Sequence, residues 1–260
     1  MLAHHVLNHL STPLGSPPYP LAANRFYNRE YLNIFYRTDP DVLRAAVPEP
    51  LIVNEPIVRF EVMHMGDVGG FGPYTEAGVA PQVTFDGERG EYLHAMYLDN
   101  FPAIAAGREL SAYPKTVGSP RLYVDHGALV GTLDIGSLRV ATATMGYKHH
   151  RMDPAEAAAQ ITVPSFMVKL VAGYDYRPRV ADLIRTQITD LTVKEAWIGP
   201  ARLQLFQHAL APLADLPVLE VLSASHILTD LTLAPVTLVH DYLKESAAQP
   251  NGRPAHVVSR

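Results

Sequence analysis

Prolines punctuate this chain along its whole length: 22 of 260 residues, well above the usual ~5%. Proline gives no hydrogen bond to a β-ladder and breaks a helix interior. The chain is therefore expected to fold as many short, interrupted elements rather than as long helices. Between the prolines, apolar and polar residues alternate. The segment 57–65, IVRFEVMHM, is the clearest case, and as a strand it places Arg59, Glu61, Met63 and Met65 on one face. The aromatic and β-branched run 31–37 also reads as a strand, as do 79–85 and 91–98. Segments 121–125, 128–135 and 137–145 read as a meander, with Gly136-Ser137 as a hairpin turn. More strands are expected at 165–171, 180–188, 190–197, 201–207, 226–233 and 236–242.

Short helices carry their own start signals. Asp39-Pro40-Asp41 and Asp153-Pro154-Ala155-Glu156 each combine a capping side chain, a proline and an early acid, and Asn100-Phe101-Pro102 opens a third helical segment. The βαβ alternation of a dinucleotide fold is missing, as are G-x-G-x-x-G and P-loop signatures. The expected fold is mainly β (α+β): a single domain over residues 1–244, built on a large antiparallel sheet closed into a barrel or cone, with a few short peripheral helices. Residues 245–260 read as a polar, mobile tail.

Composition removes several function classes. At 48% hydrophobic and 18% charged residues the chain is globular. No apolar run approaches the ~18 residues of a membrane span. The start, MLAHHVLNHL, lacks the basic and apolar regions of a signal peptide. Cysteine is absent, which excludes disulfides, thiolate catalysis and Cys-ligated zinc and fits a reducing cytoplasm. The net charge of −5 argues against a nucleic-acid partner.

Twelve histidines offer no H-E-x-x-H spacing, and no G-x-S-x-G marks a serine nucleophile. Lysine is scarce: Lys115, Lys148, Lys169, Lys194 and Lys244 against 16 arginines. Lys244 lies beside the polar tail, Lys148 in a cluster with two histidines and an arginine, and Lys169 and Lys194 in alternating strands. Lys115 differs. It follows Tyr113-Pro114 in GRELSAYPKTVGSP, with no other Lys or Arg within five residues. Local sequence alone leaves two readings, an exposed lysine or a functional one.

The segment GRELSAYPK (107–115) resembles the signature of the acetoacetate decarboxylase family. NREYLNIFYRTD (28–39), VPEPL (47–51), VRFEVM (58–63), YTEAG (74–78), YLHAMYLDN (92–100), LRVATATMGYKH (138–149), GPARLQLF (199–206) and SHILTD (225–230) are similar to family sequence in the same order. The resemblance covers about residues 10–244. It implies cofactor-free, metal-free decarboxylation of acetoacetate to acetone and CO₂ through a lysine Schiff base. It also implies a small β-keto acid substrate, no membrane or nucleic-acid partner, and a large homo-oligomer. The alternatives are a Schiff-base aldolase or dehydratase of the same superfamily and a non-catalytic keto-acid-binding β-barrel.

By position in the family motifs, Lys115 is the imine-forming lysine. Such chemistry needs a neutral amine, and this family is itself the standard illustration of a lysine activated by desolvation or a neighbouring cation. Family members commonly carry a second lysine next in sequence; here position 116 is threonine, which leaves burial to favour the neutral amine. Glu76 and Glu61 match the two family acids near the imine, with Glu76, read as lying in a glycine loop, in the essential role. Arg29 matches the pocket arginine, whose planar fork suits a carboxylate or the pocket acids. The residues alone equally allow Glu61 to be an ion-pair partner of Arg59 or Arg29. Tyr113, Tyr27 and Met96 are candidates for the pocket lining or for plain core.

Overall fold

A computed structural model of the chain describes residues 1–20 and 25–248. Their strands are β1 (Arg25–Arg37), β2 (Ile57–Val68), β3 (Tyr74–Phe85), β4 (Glu88–Tyr92), β5 (Ala95–Leu98), β6 (Lys115–Val117), β7 (Ser119–Asp125), β8 (Ala128–Ile135), β9 (Leu138–Gly146), β10 (His150–Arg151), β11 (Ser165–Ala172), β12 (Pro178–Thr186), β13 (Ile188–Ile198), β14 (Ala201–Leu205), β15 (Glu220–Leu233) and β16 (Thr237–Asp241). The helices are α1 (Ala3–Val6), α2 (Pro40–Ala46), α3 (Phe101–Glu109), α4 (Pro154–Ile161) and α5 (Tyr242–Ala248). None is long and apolar enough to cross a membrane.

The chain is mainly β, as the alternation predicts, but its strands are longer than the proline count suggests. β1 runs for 13 residues and β15 for 14. Several prolines sit where they do little harm. Pro40, Pro102 and Pro154 occupy first turns of α2, α3 and α4, behind the capping side chains of Asp39, Asn100 and Asp153. Pro120 lies in β7, an edge strand. Of the tail expected from 245, the residues up to Ala248 belong to α5, and the remainder lies outside the described residues.

Two sheets form rather than one. The larger has 12 strands, ordered β10-β13-β15-β1-β2-β3-β4-β11-β12-β16, with β5 branching from β3 and carrying β6. The smaller is the meander plus β14, ordered β14-β9-β8-β7. It packs against the large sheet, with Leu32, Ile34 and Val62 meeting Leu129, Leu133 and Val140 in one buried cluster.

The opposite face of the large sheet encloses a second cluster, which includes Tyr31, Met63, Met167, Ile184 and Ala196. Ile184 lies on β12 and Ala196 on β13, near opposite ends of the strand order. The sheet is therefore rolled into a cone-like wrap, and Gln187 alone separates β12 from β13. Hydrogen bonds between end strands do not seal the roll among the described residues: β10 has two residues, and β16 pairs only with β12.

Candidate active site

Strand register assembles the site inside the roll. Asn33, Glu61, Gly78, Met96 and Lys115 form one continuous row of Cα partners across β1, β2, β3, β5 and β6. Tyr31, Met63 and Glu76 form the next row. Side chains two apart along a strand share a face, so one pleat phase brings Arg59, Glu61, Glu76 and Lys115 to the same interior. Glu76 lies within β3, not in a loop. The glycine run misleads because Gly66 is already in β2, and the turn closes in time for Tyr74 to start the next strand.

Lys115 is 8% exposed. Its Nζ lies 2.5 Å from Glu76 Oε1. The approach is off the hydrogen-bond direction, which leaves that oxygen without a hydrogen-bond partner; the contact is ionic. Nζ also sits 5.1 Å from the Tyr113 ring and 5.8 Å from the Tyr74 ring. Burial pushes the Tyr113 phenol up to about 12 and the Tyr74 phenol well above its ordinary value, so both rings stay neutral. Helix α3 reaches the lysine through Gly107. A Cβ there would stand 2.7 Å from Lys115 Cδ, so the bare glycine leaves room for the stem. Arg108 Nη1 donates to the Lys115 carbonyl at 3.1 Å and fixes the backbone. Thr116 is exposed, on the opposite side of β6 from the buried lysine.

Arg29 owes its direction to a bulge. Asn28 has φ of 51°, and the β1–β15 register shifts between Phe26 and Arg29. The irregularity turns Phe26 and Arg29 inward and Tyr27 outward, where it is 47% exposed. Both readings of Tyr27, pocket lining and plain core, are thereby corrected. Arg29 Nη2 donates to Met63 Sδ at 2.8 Å, a weak acceptor, while buried Nε has no partner. The guanidinium lies 4.9 Å from the Tyr31 ring and 5.3 Å from the Phe26 ring. Burial works against its charge, but Tyr31, Glu76 and Glu61 outweigh it and hold the pKa above its ordinary value.

Glu61 takes the ion-pair arrangement that the sequence left open, bonded to Arg59 Nη1. Arg59 also grips Glu91, with Nε 3.0 Å from each carboxylate oxygen and Nη2 bonded to Oε2. Burial opposes the charge on Arg59, yet Glu61 and Glu91 raise its pKa above the usual value. Glu91 escaped sequence reasoning, since nothing in ERGEY distinguishes it from a surface acid. Arg59 was visible only as a possible partner of Glu61. Together Arg29, Glu61, Glu76, Met96, Tyr113 and Lys115 line a small chamber of about 60 Å³, with Arg59 and Glu91 in its wall.

The chemistry of this chamber is that of a buried amine beside a carboxylate, facing a guanidinium with unspent donors. Known proteins share the sequence and the fold that carry it. The profile of the family described as acetoacetate decarboxylase (ADC) matches residues 11–243. The acetoacetate decarboxylase of Clostridium acetobutylicum is 59% identical over 244 residues, covering 94% of this chain and 100% of the relative. That of Streptomyces nogalater is 60% identical over 243 residues, with coverage of 94% and 100%. A solved structure described as acetoacetate decarboxylase superposes with a TM-score of 0.91 at 58% identity, covering 94% of this chain and 100% of that one. A match this long, at this identity and on the same fold makes the chain a member of the acetoacetate decarboxylase family.

Proposed function

We propose that this chain decarboxylates acetoacetate to acetone and CO₂ through an imine on Lys115. The observation that carries the reading is the buried Lys115–Glu76 contact in a small chamber. The neutral amine attacks the ketone carbonyl, and water leaves as the protonated imine forms. The bond to the carboxylate carbon then breaks. Its electron pair moves into the imine to give a neutral enamine, and CO₂ departs. Protonation of the enamine carbon and hydrolysis return acetone and the free amine.

Glu76, at 2.5 Å from Nζ, is placed to take and return protons at the nitrogen. Arg29 offers its free donors to the substrate carboxylate. Glu61, held by Arg59, shapes the field of the chamber and the substrate site, and Tyr113 walls the amine. Membership of the family supports a homo-oligomer, and exposed Leu170, Tyr174 and Tyr176 about the β11–β12 hairpin give further copies an apolar surface to meet. The cysteine-free composition supports a place in the cytoplasm.

Borohydride reduction in the presence of acetoacetate tests the reading. One reduced adduct per subunit, on Lys115, with loss of activity is expected. An adduct on Lys148 or Lys169, or none in active protein, overturns the assignment.

A further inference from the structure

Decarboxylation of an acetoacetate anion to acetone and CO₂ consumes one proton from solvent in each turnover. Imine formation takes up a proton and hydrolysis returns it, so the net uptake belongs to the enamine carbon. The chamber around Lys115 is small and its acids are buried, and that proton needs a way in. Two larger cavities adjoin it. One, of about 370 Å³, opens beside Lys115, with Phe26, Val68, Phe71, Leu233 and Val236 among its walls. The other, of about 550 Å³, carries the polar side chains of Asn54, Gln82, Arg89 and Gln160 in its lining and is called the polar cavity below. Glu91 is the one ionisable side chain among the described residues that lines both the polar cavity and the chamber.

The chamber wall holds Arg29, Arg59 and Lys115 against Glu61, Glu76 and Glu91. Once Lys115 is neutral, as attack requires, three carboxylates face two guanidiniums. A net buried charge is costly, so the proton that leaves Nζ stays in the cluster on Glu76, Glu91 rests ionised against Arg59, and the second proton, the one that the enamine carbon takes, needs another acid. Glu61 leans on Arg59 alone and Glu76 on Lys115, both on the inner side. Glu91 is the acid that also meets the polar cavity, where Arg89 and Glu55 are its charged neighbours. Burial pushes its carboxyl above the ordinary range, Arg59 works against that, and Glu61 adds to it.

Resting on the imine reading, we propose that Glu91 is the proton port of this site: it takes up a solvent proton through the polar cavity and holds it for the enamine carbon. Glu91→Gln should lower kcat by about 10²-fold, the low end for a lost acid–base group. Removing one negative charge favours neutral Lys115, so the acidic limb of kcat/KM should move toward lower pH by roughly half a unit or more. Acetate or imidazole buffer, small enough for the polar cavity, should restore part of kcat, and Glu91→Asp should keep more activity than the amide.

Borohydride trapping on Lys115 should persist in Glu91→Gln. Trapping that fails in the unaltered protein sinks the imine reading itself. Normal kcat with an unmoved limb overturns the port alone. Lost kcat with an unmoved limb and no buffer rescue, the pattern of a structural defect, also overturns it. Should Glu91→Gln not fold, Gln82→Trp fills the polar cavity from the position paired with Glu91 on β3. It should depress kcat with trapping and limb unchanged, and an undiminished kcat would overturn the port.

Discussion

A carboxylate 2.5 Å from an amine and a guanidinium with an unpartnered nitrogen ask for different losses. Glu76→Gln keeps the shape and removes the proton carrier, so kcat should fall by about 100-fold or more in steady-state assays. Arg29→Gln removes a carboxylate partner and should chiefly depress kcat/KM. Wild-type kinetics in both would make these residues structural. Position 116 gives a sharper test. Thr116 is exposed and points away from the chamber, so Thr116→Lys puts its charge in water, where screening is strong. The acidic limb of kcat/KM should move by less than about one pH unit, the effect of ~1.4 kcal/mol. A larger move toward lower pH would show that a cation at 116 reaches the amine after all.

Elements place what residues supply, and Gly107 shows how. Alanine at this position favours the helix by about 1 kcal/mol, but its Cβ meets the lysine stem at 2.7 Å. Gly107→Ala should leave the melting temperature within a few degrees and lower kcat by about tenfold or more, since small misplacement of a reacting group is costly. An unchanged kcat would mean that the stem moves aside freely. Element scale also decides what was legible in the sequence. Alternation in 57–65 placed Arg59, Glu61, Met63 and Met65 on one face, and the structure buries all four. Lys115, Glu76, Arg29, Glu61 and Tyr113, picked out through family motifs, meet in one chamber. What stayed hidden depends on backbone irregularity or distant packing. A bulge at Asn28 sends Tyr27 outward against its alternation, and Glu91 becomes an interior acid only because β4 pairs with β11 from far along the chain.

At the scale of the molecule, buried phenols set an alkaline limit. Burial raises the pKa of Tyr36, Tyr74 and Tyr97 above 10.0. A group raised on folding contributes stability that is fully present below its unfolded pKa and is lost as pH rises toward the folded value. Melting temperature followed by circular dichroism should therefore be flat with respect to these groups up to about pH 9.5 and fall beyond about pH 10; a flat profile to pH 11 would contradict the assignment. The row from Asn33 to Lys115 has a different consequence. Its members come from five strands and are aligned only by pairing register. A slip of one residue between β2 and β3 would present Val62 in place of Glu61, or Ala77 in place of Glu76, to the amine. Such a molecule would be inert rather than impaired. In a refolded batch, specific activity thus counts correctly threaded molecules, and a half-active preparation is a mixture of perfect and dead copies, not a population of mediocre ones.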